Sequence, residues 1–195
     1  MNGIDQALFL WLNLVPDAPG WLLEAARAIS LQWPHWMVAA TLAVALTGRP
    51  PWRAQAARVL FSLALAAIAA AGLKHGFHLP RPFMLGLGTA WLPHGATAGF
   101  PSSHTAAAAA FAASAALAPL RWPVRGLLLA SALAMAWSRV ALGLHFPSDI
   151  LAGLCLGVLC AALVQWAGAA LTGYAPGAAG RERRPARRPE AELLS

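Results

Sequence analysis

Residues 56–73 read AARVLFSLALAAIAAAGL, an apolar run in which Arg58 is the one charged side chain. A helix that crosses the hydrocarbon core of a bilayer needs about 20 apolar residues, so this run is predicted to be a transmembrane helix. Composition points the same way, because hydrophobic residues make up 59% of the 195-residue chain and charged residues 11%. Soluble domains carry roughly 25% charged residues. The chain is therefore predicted to be an integral membrane protein.

Apolar segments on both sides of this run extend it into a polytopic bundle. Further spans are predicted at 103–119, 123–140 and 147–172. The segment 21–48 is expected to form a helix that Pro34 kinks. The segment 4–14 is too short to cross and is expected to lie at the interface. The predicted fold is an all-α membrane helix bundle of about five to six transmembrane helices.

Basic residues set the expected orientation. The predicted spans bring one group of arginines to the same side of the membrane, namely Arg49, Arg53, Arg58, Arg121, Arg125 and the five arginines of the C-terminal tail. By the positive-inside rule this side is cytoplasmic. The connection 74–102 and the segment 139–147 then share the outer face. The net charge of +7 is thereby assigned to membrane topology, and no nucleic-acid partner is expected.

The chain is predicted to have one folded domain and a tail. Residues 1–174 are expected to form the membrane domain. Residues 175–195 contain proline, glycine, alanine and arginine without apolar periodicity, so they are expected to be a basic, disordered cytoplasmic tail.

Three cations are predicted at helix ends on the outer face: Lys74, Arg81 and Arg139. Asp149 is the one carboxylate near them in the sequence. A phosphate would satisfy these cations, because arginine offers a two-pronged donor and lysine a point charge. A single lysine or arginine at a helix end can also simply extend its charge to the membrane surface. Three cations on one face favour the anion site.

Two histidines of the outer segments stand where they could take part in chemistry. His145 precedes Asp149 by four positions, and on one helix face the carboxylate would fix the imidazole tautomer and activate its free nitrogen. His104 follows Ser102 and Ser103 at a predicted helix start, where backbone N–H groups attract anions, and it could protonate a leaving oxygen. Both features have a structural alternative, since aspartate and serine also cap helices.

Six histidines raise the question of a metal site. The sequence contains no HExxH and no Cys/His zinc spacing, and few carboxylates are available, so no metal or other cofactor is expected. GxxxxGK[ST] and GxSxG are absent as well. The remaining histidines of the connection, His75, His78 and His94, receive no defined role and are expected to anchor the interface or to contact the substrate rim.

The polar residues occur in an order that resembles a known signature. Lys74-x6-Arg81-Pro82, then Pro101-Ser102-Ser103-His104, then Ser138-Arg139-x5-His145-x3-Asp149 is similar to the three motifs of the type 2 phosphatidic acid phosphatase (PAP2) superfamily. The opening IDQALFLWLN and the stretch GLGTAWLPHGATAGFPSSH resemble the bacterial BcrC-like undecaprenyl-diphosphatases within it. Ser103 stands where the superfamily commonly has glycine, which leaves the substrate preference open.

The resemblance implies a role for each matching residue. The phosphate-binding residues would be Lys74, Arg81, Ser102, Ser103 and Arg139. His145 would attack phosphorus to form a phosphohistidine, and Asp149 would orient it. His104 would protonate the leaving group and later activate water. The fixed cations would neutralise the transition-state charge without a metal.

The implied activity is hydrolysis of a lipid pyrophosphate, with undecaprenyl diphosphate as the leading substrate, at the outer face of a bacterial inner membrane. The alternatives are a broader phosphatase for phosphatidic acid or phosphatidylglycerol phosphate, and a lipid A phosphotransferase. The membrane spans disfavour vanadate haloperoxidase chemistry. A scaffold or transporter is disfavoured because transporters bind near the midplane. The oligomeric state is left open, although Gly153 and Gly157 form a pair that permits helix association.

Overall fold

The computed structural model describes residues 3–172, and within this range every regular element is helical. Seven α-helices follow one another: α1 (Gly3–Leu12), α2 (Gly20–Leu31), α3 (Trp33–Thr47), α4 (Pro50–Gly76), α5 (Ser103–Ala115), α6 (Trp122–Ala141) and α7 (Pro147–Thr172). A short 3-10 turn, Pro82–Leu85, lies in the connection between α4 and α5. The all-α prediction is confirmed. The predicted tail, 175–195, lies outside the described residues, and the division into a domain and a tail stays a prediction.

Fewer helices than predicted are long enough to cross a membrane. Within residues 3–172, α4, α6 and α7 are long and apolar enough, and α2 with α3 would make a fourth span bent by 41°. The bend lies at Gln32, and Pro34 stands in the first turn of α3, as expected of a residue that cannot continue a helix. Helix α1 is short and apolar, as predicted. The expected five to six spans were therefore an overestimate.

The shortfall arises at α5. The segment predicted as a span over 103–119 is helical only to Ala115, so α5 has 13 residues and is too short to cross the hydrocarbon core as a helix by itself. At 1.5 Å per residue it is about 20 Å long, whereas the hydrocarbon core is about 30 Å thick. Alanine gives the segment its apolar composition. It packs against α4, α6 and α7, and so it forms the centre of the bundle.

Small side chains allow α5 to sit between these longer helices. Five alanines of α5 are buried: Ala106, Ala108, Ala109, Ala110 and Ala112. On the facing side of α7, a Cβ at Gly157 would overlap the Ala106 carbonyl oxygen, and one at Gly153 would lie 2.7 Å from the Ser102 carbonyl oxygen. The glycine pair thus makes a close helix contact within one chain, and that contact fixes the start of α5 against the start of α7.

The loops that join these helices meet at one end of the bundle, where α4 and α6 end and α5 and α7 begin. Asn13, just after α1, joins them by donating to the carbonyl oxygens of Thr89 and Ala141, both at 3.0 Å, and by accepting from the Thr89 N–H at 2.7 Å. Gly143, between α6 and α7, has φ +77°, and a Cβ there would overlap the Thr89 carbonyl. Glycine is required at this turn, and the long connection packs directly on it.

Candidate active site

Arg81 lies at the centre of the residues that the sequence singled out. Its side chain is 3% exposed. Nη1 donates to the Leu144 carbonyl and approaches His145 Nε2, both at 3.0 Å, while Nε donates to the Thr97 carbonyl at 2.9 Å. A guanidinium can only donate, so Nε2 of His145 accepts and its proton lies on Nδ1. Arg81 therefore ties the long connection to the α6–α7 loop and selects one histidine tautomer.

The second ring nitrogen of His145 faces Asp149. Nδ1 lies 3.3 Å from Asp149 Oδ2, and the same oxygen accepts the Phe146 N–H at 3.0 Å. Both side chains are almost completely buried. Burial, followed by the positive charge of Arg81 and its neighbours, holds the pKa of His145 well below its usual value of 6.5. The imidazole is thus neutral at pH 7, and its lone pair lies on Nε2, where Arg81 Nη1 donates to it.

The other two predicted cations converge on the same place from different helices. Lys74, in the last turn of α4, donates through Nζ to the carbonyl oxygens of Ala98 (2.9 Å) and Gly99 (3.2 Å). Arg139, in the last turn of α6, is 2% exposed, and its Nη1 donates to the Ser30 hydroxyl. Arg139 Nε has no hydrogen-bond partner among the described residues. Positive charge is thus concentrated around His145, and one buried N–H remains available for a ligand.

The residues at the start of α5 have mixed placements. Ser102 is fully buried and caps the helix, since its Oγ accepts from the Thr105 N–H at 3.5 Å and lies 3.0 Å from Thr105 Oγ1. Its backbone N–H donates to the Asp149 carbonyl at 3.0 Å. The structural alternative for Ser102, a helix cap, is therefore realised. Ser103 and His104 follow as the first residues of α5 and are partly exposed.

His104 faces the same cations. Burial, followed by the charges of Arg139, His94 and Arg81, lowers the pKa of its imidazole. The ring is thus neutral at pH 7. A neutral imidazole can accept a proton, and it can act as a general acid after it has taken one up, which nearby negative charge favours by offsetting the cations.

Three side chains near the site were not assigned from the sequence. Ser30 on α2 contacts Arg139, as described above. Asp5 on α1 accepts from the Ser148 N–H at 3.0 Å and from the Ser148 hydroxyl at 2.6 Å, so it caps the first turn of α7 next to Asp149. A lone carboxylate within the apolar segment 4–14 was the available signal for Asp5. Nothing in the local pattern around Ser30 distinguishes it from other helix serines.

His94 is the third of these side chains, and it lies at the rim. With Phe83, Trp91 and others it lines a cavity of about 320 Å³. The ring is exposed, and partial loss of solvent together with the charges of Arg81 and Arg139 lowers its pKa. A contact between His94 and the substrate stays a prediction. His75 and His78 are exposed near the end of α4.

Among residues 3–172, no group of three histidine, cysteine, aspartate or glutamate side chains could hold a metal ion. The positive charge of the site comes instead from Lys74, Arg81 and Arg139. An environment of fixed cations beside a neutral, carboxylate-oriented imidazole suits nucleophilic attack on a bound phosphate.

A family comparison bears on the function of this polar cluster. The model of the PAP2 superfamily matches residues 55–172, which include every predicted site residue from Lys74 to Asp149. The chain belongs to the PAP2 superfamily. The Escherichia coli protein named "Putative undecaprenyl-diphosphatase YbjG" is 30% identical over 162 residues, or 82% of this chain and 80% of that protein. The resemblance inferred from the motifs is confirmed.

Two solved structures share the PAP2 fold found here. Aquifex aeolicus LpxE has a TM-score of 0.72 and 20% identity, and the match covers 85% of this chain and 96% of that one. The transmembrane PAP2-type phosphatidylglycerolphosphate phosphatase from Bacillus subtilis has a TM-score of 0.67 and 24% identity, with 84% and 83% covered. Both similarities concern the fold.

Proposed function

We propose that this PAP2 protein hydrolyses undecaprenyl diphosphate to undecaprenyl phosphate and inorganic phosphate. The observation that carries the proposal is the convergence of Lys74, Arg81 and Arg139 around the buried His145–Asp149 pair at one end of the bundle. The name of the E. coli relative supports the diphosphate substrate. The site is assigned to the outer face of the bacterial inner membrane by the distribution of arginines.

The geometry supports a two-step reaction through a phosphohistidine. His145 Nε2 attacks the terminal phosphorus, forming the N–P bond as the bond between phosphorus and the bridging oxygen breaks. Asp149 accepts the Nδ1–H bond and stabilises the developing imidazolium. For this attack the Nη1–H of Arg81, which donates to Nε2 at 3.0 Å, must move from the lone pair to an oxygen of the incoming phosphoryl group. Lys74 and Arg139 balance the remaining negative charge.

His104 handles protons in both steps. Substrate phosphate raises the proton affinity of this ring by offsetting the cations, so that it can protonate the leaving lipid phosphate. The neutral ring then takes a proton from a water molecule, which attacks the phosphohistidine and releases inorganic phosphate. After the second step His104 is protonated again and can donate to the leaving group of the next substrate.

Exposed apolar residues near the site support a lipid substrate. Phe77 and Leu79, just beyond α4, are 51% and 41% exposed, and Met84 and Leu85 in the 3-10 turn are 44% and 46% exposed. Exposure of these four apolar side chains to water would be unfavourable in free energy. Beside a bilayer they offer a surface for an isoprenoid or acyl chain. The headgroup can then reach the cations while the tail stays in the membrane.

The test is phosphate release by the purified protein in detergent, with a chelator present. We expect kcat/KM for undecaprenyl diphosphate to exceed that for phosphatidic acid and phosphatidylglycerol phosphate by at least about 10-fold. His145→Ala should lose at least about 10³-fold, as nucleophile removal does in other covalent enzymes. His35→Ala, which changes an exposed histidine on α3 away from the site residues, is the matched control.

Two results would overturn parts of this assignment. Near-full activity of the His145→Ala protein would show that His145 is not the nucleophile. An equal or higher kcat/KM for phosphatidylglycerol phosphate would mean that the protein is a broader lipid phosphatase. This substrate is included because the B. subtilis phosphatidylglycerolphosphate phosphatase has the same fold.

A further inference from the structure

Ser30 contacts a cation of the active site from outside the family-matched region. It lies on α2, before residues 55–172, and is 1% exposed. Its hydroxyl accepts from Nη1 of Arg139, a residue 109 positions later in the chain. No motif of the site includes this serine.

The packing on both sides of Ser30 holds its hydroxyl in place. One turn earlier, the fully buried Ala26 packs with Ala141 and Leu142 at the end of α6. One turn later, across the bend at Gln32, Trp33 packs against the cluster that contains Met135. The α2–α3 pair is thus in contact with α6 above and below Arg139. A hydroxyl in this position is a fixed acceptor.

Arg139 has few other restraints. Among residues 3–172 it forms no ion pair within 4.0 Å, and its Nε is buried without a hydrogen-bond partner. An unpaired buried N–H costs about 1–3 kcal/mol, so an anion that reaches this nitrogen is favoured. A long side chain held by a single bond can adopt other rotamers when that bond is lost.

We propose that Ser30 is a positioning residue for the phosphoryl-transfer step. Its hydroxyl holds the Arg139 guanidinium by accepting a hydrogen bond from Nη1. The N–H at Nε is left to donate to a phosphoryl oxygen. The inference rests on the proposed function for its kinetic test and does not depend on which lipid carries the phosphate. It also assigns a purpose to α2, which would otherwise be an ordinary membrane helix.

The kinetic test compares substitutions at position 30 that differ by the hydroxyl. Ser30→Ala is expected to lower kcat/KM about 10-fold, mainly through kcat, because a misplaced cation loses transition-state contacts. Ser30→Thr and Ser30→Val have the same shape, and only threonine keeps the hydroxyl. We expect threonine to retain several-fold more activity than valine. Equal activities for these two variants would overturn the proposal.

Ser62→Ala is the matched control. Ser62 is a buried helix serine on α4, and its hydroxyl bonds the Arg58 carbonyl of its own helix at 2.8 Å. The two alanine variants remove the same atom, and we expect Ser62→Ala to keep wild-type kcat/KM. A loss in Ser62→Ala as large as that in Ser30→Ala would mean that the effect is general helix packing, against the proposal.

A binding measurement separates this inference from the identity of the substrate. Orthovanadate, a phosphate analogue, should raise the Tm of the detergent-purified protein by an amount that grows with the logarithm of its concentration divided by its Kd. We expect Ser30→Ala to weaken vanadate binding about 10-fold, and to cause no further loss when Arg139 is already alanine. Wild-type affinity in Ser30→Ala, or an unchanged loss in the Arg139→Ala background, would overturn it. Failure to cleave undecaprenyl diphosphate would overturn the proposed function alone.

Discussion

His145 is surrounded by burial and positive charge, and both determine how activity should depend on pH. Its pKa lies below 6.5, first because of burial and then because of Arg81 and the other cations. Since the nucleophile must be neutral, the free enzyme should remain competent as the pH falls through 6.5, where an ordinary histidine would be half protonated.

The measurement is the pH profile of kcat/KM. We expect its acid limb below pH 6.5 in the wild-type protein. Arg81→Gln removes one cation, so the limb should move to higher pH even though the overall rate falls. A limb at or above pH 6.5 in the wild type would contradict the environment described for His145.

For individual residues, the sequence predicted which charged and histidine side chains lie together in the site. It did not predict every side chain that contacts them. The Lys74, Arg81, Arg139 and His145 group was inferred from motif order. Ser30 was missed because the evidence for its role is a contact across 109 positions, which no local pattern encodes. Ser102 illustrates the opposite problem, since one serine at a helix start is compatible with both a cap and a ligand.

The contact between α5 and α7 is the element on which the site depends. A Cβ at Gly157 would overlap the Ala106 carbonyl, so Gly157→Ala should force the helices apart. Overpacking of this kind costs about 1–3 kcal/mol. We expect a lower Tm and a drop in kcat, because the start of α5 moves away from Asp149.

Gly72→Ala on α4 is the matched control for this change. A Cβ at Gly72 meets nothing within 4 Å, and alanine favours the helix by about 0.5–1 kcal/mol. Its Tm should be unchanged or higher. A Gly157→Ala protein with wild-type Tm and kcat would show that the contact is not needed.

The cap that α1 supplies to α7 gives a second prediction at the scale of elements. Asp5→Ala removes both acceptors of Ser148, and the loss of a helix cap costs about 1 kcal/mol. We expect a lower Tm and a several-fold lower kcat, because the first turn of α7 also carries Asp149. Asp17→Ala, at an exposed carboxylate, should change neither quantity.

The helices themselves were only partly predictable. The break at Pro34 follows from the chemistry of proline and was expected. The overestimated span at 103–119 has a physical reason, because alanine is compatible with a lipid-facing helix and with a helix enclosed by protein. Composition therefore cannot distinguish a membrane span from a buried centre, whereas length in the folded structure can.

The orientation of the whole molecule is a prediction that labelling can check. In a protein with Cys155 and Cys160 changed to serine, His78→Cys should react with a membrane-impermeant maleimide added to spheroplasts. Arg121→Cys, at the exposed residue that precedes α6 at the opposite end of the bundle, should react only after the membrane is opened. The reverse pattern would place the site in the cytoplasm.

The family assignment and the bundle architecture could be predicted from the sequence, because the apolar segments and the three ordered motifs can both be recognised in one sequence. The lipid preference could not, since the exposed apolar residues near the site could accept many tails.

The N-terminal helices have a consequence for anyone who would build a minimal version of this enzyme. Asp5 and Asn13 bond to the start of α7 and to the long connection, yet both precede residues 55–172. A protein shortened to residues 55–172 would keep every motif residue. It would lose the hydrogen bonds through which Asp5 and Asn13 hold the loops and helix ends of the site together. The smallest unit able to turn over substrate must therefore be larger than the unit that a family search recognises.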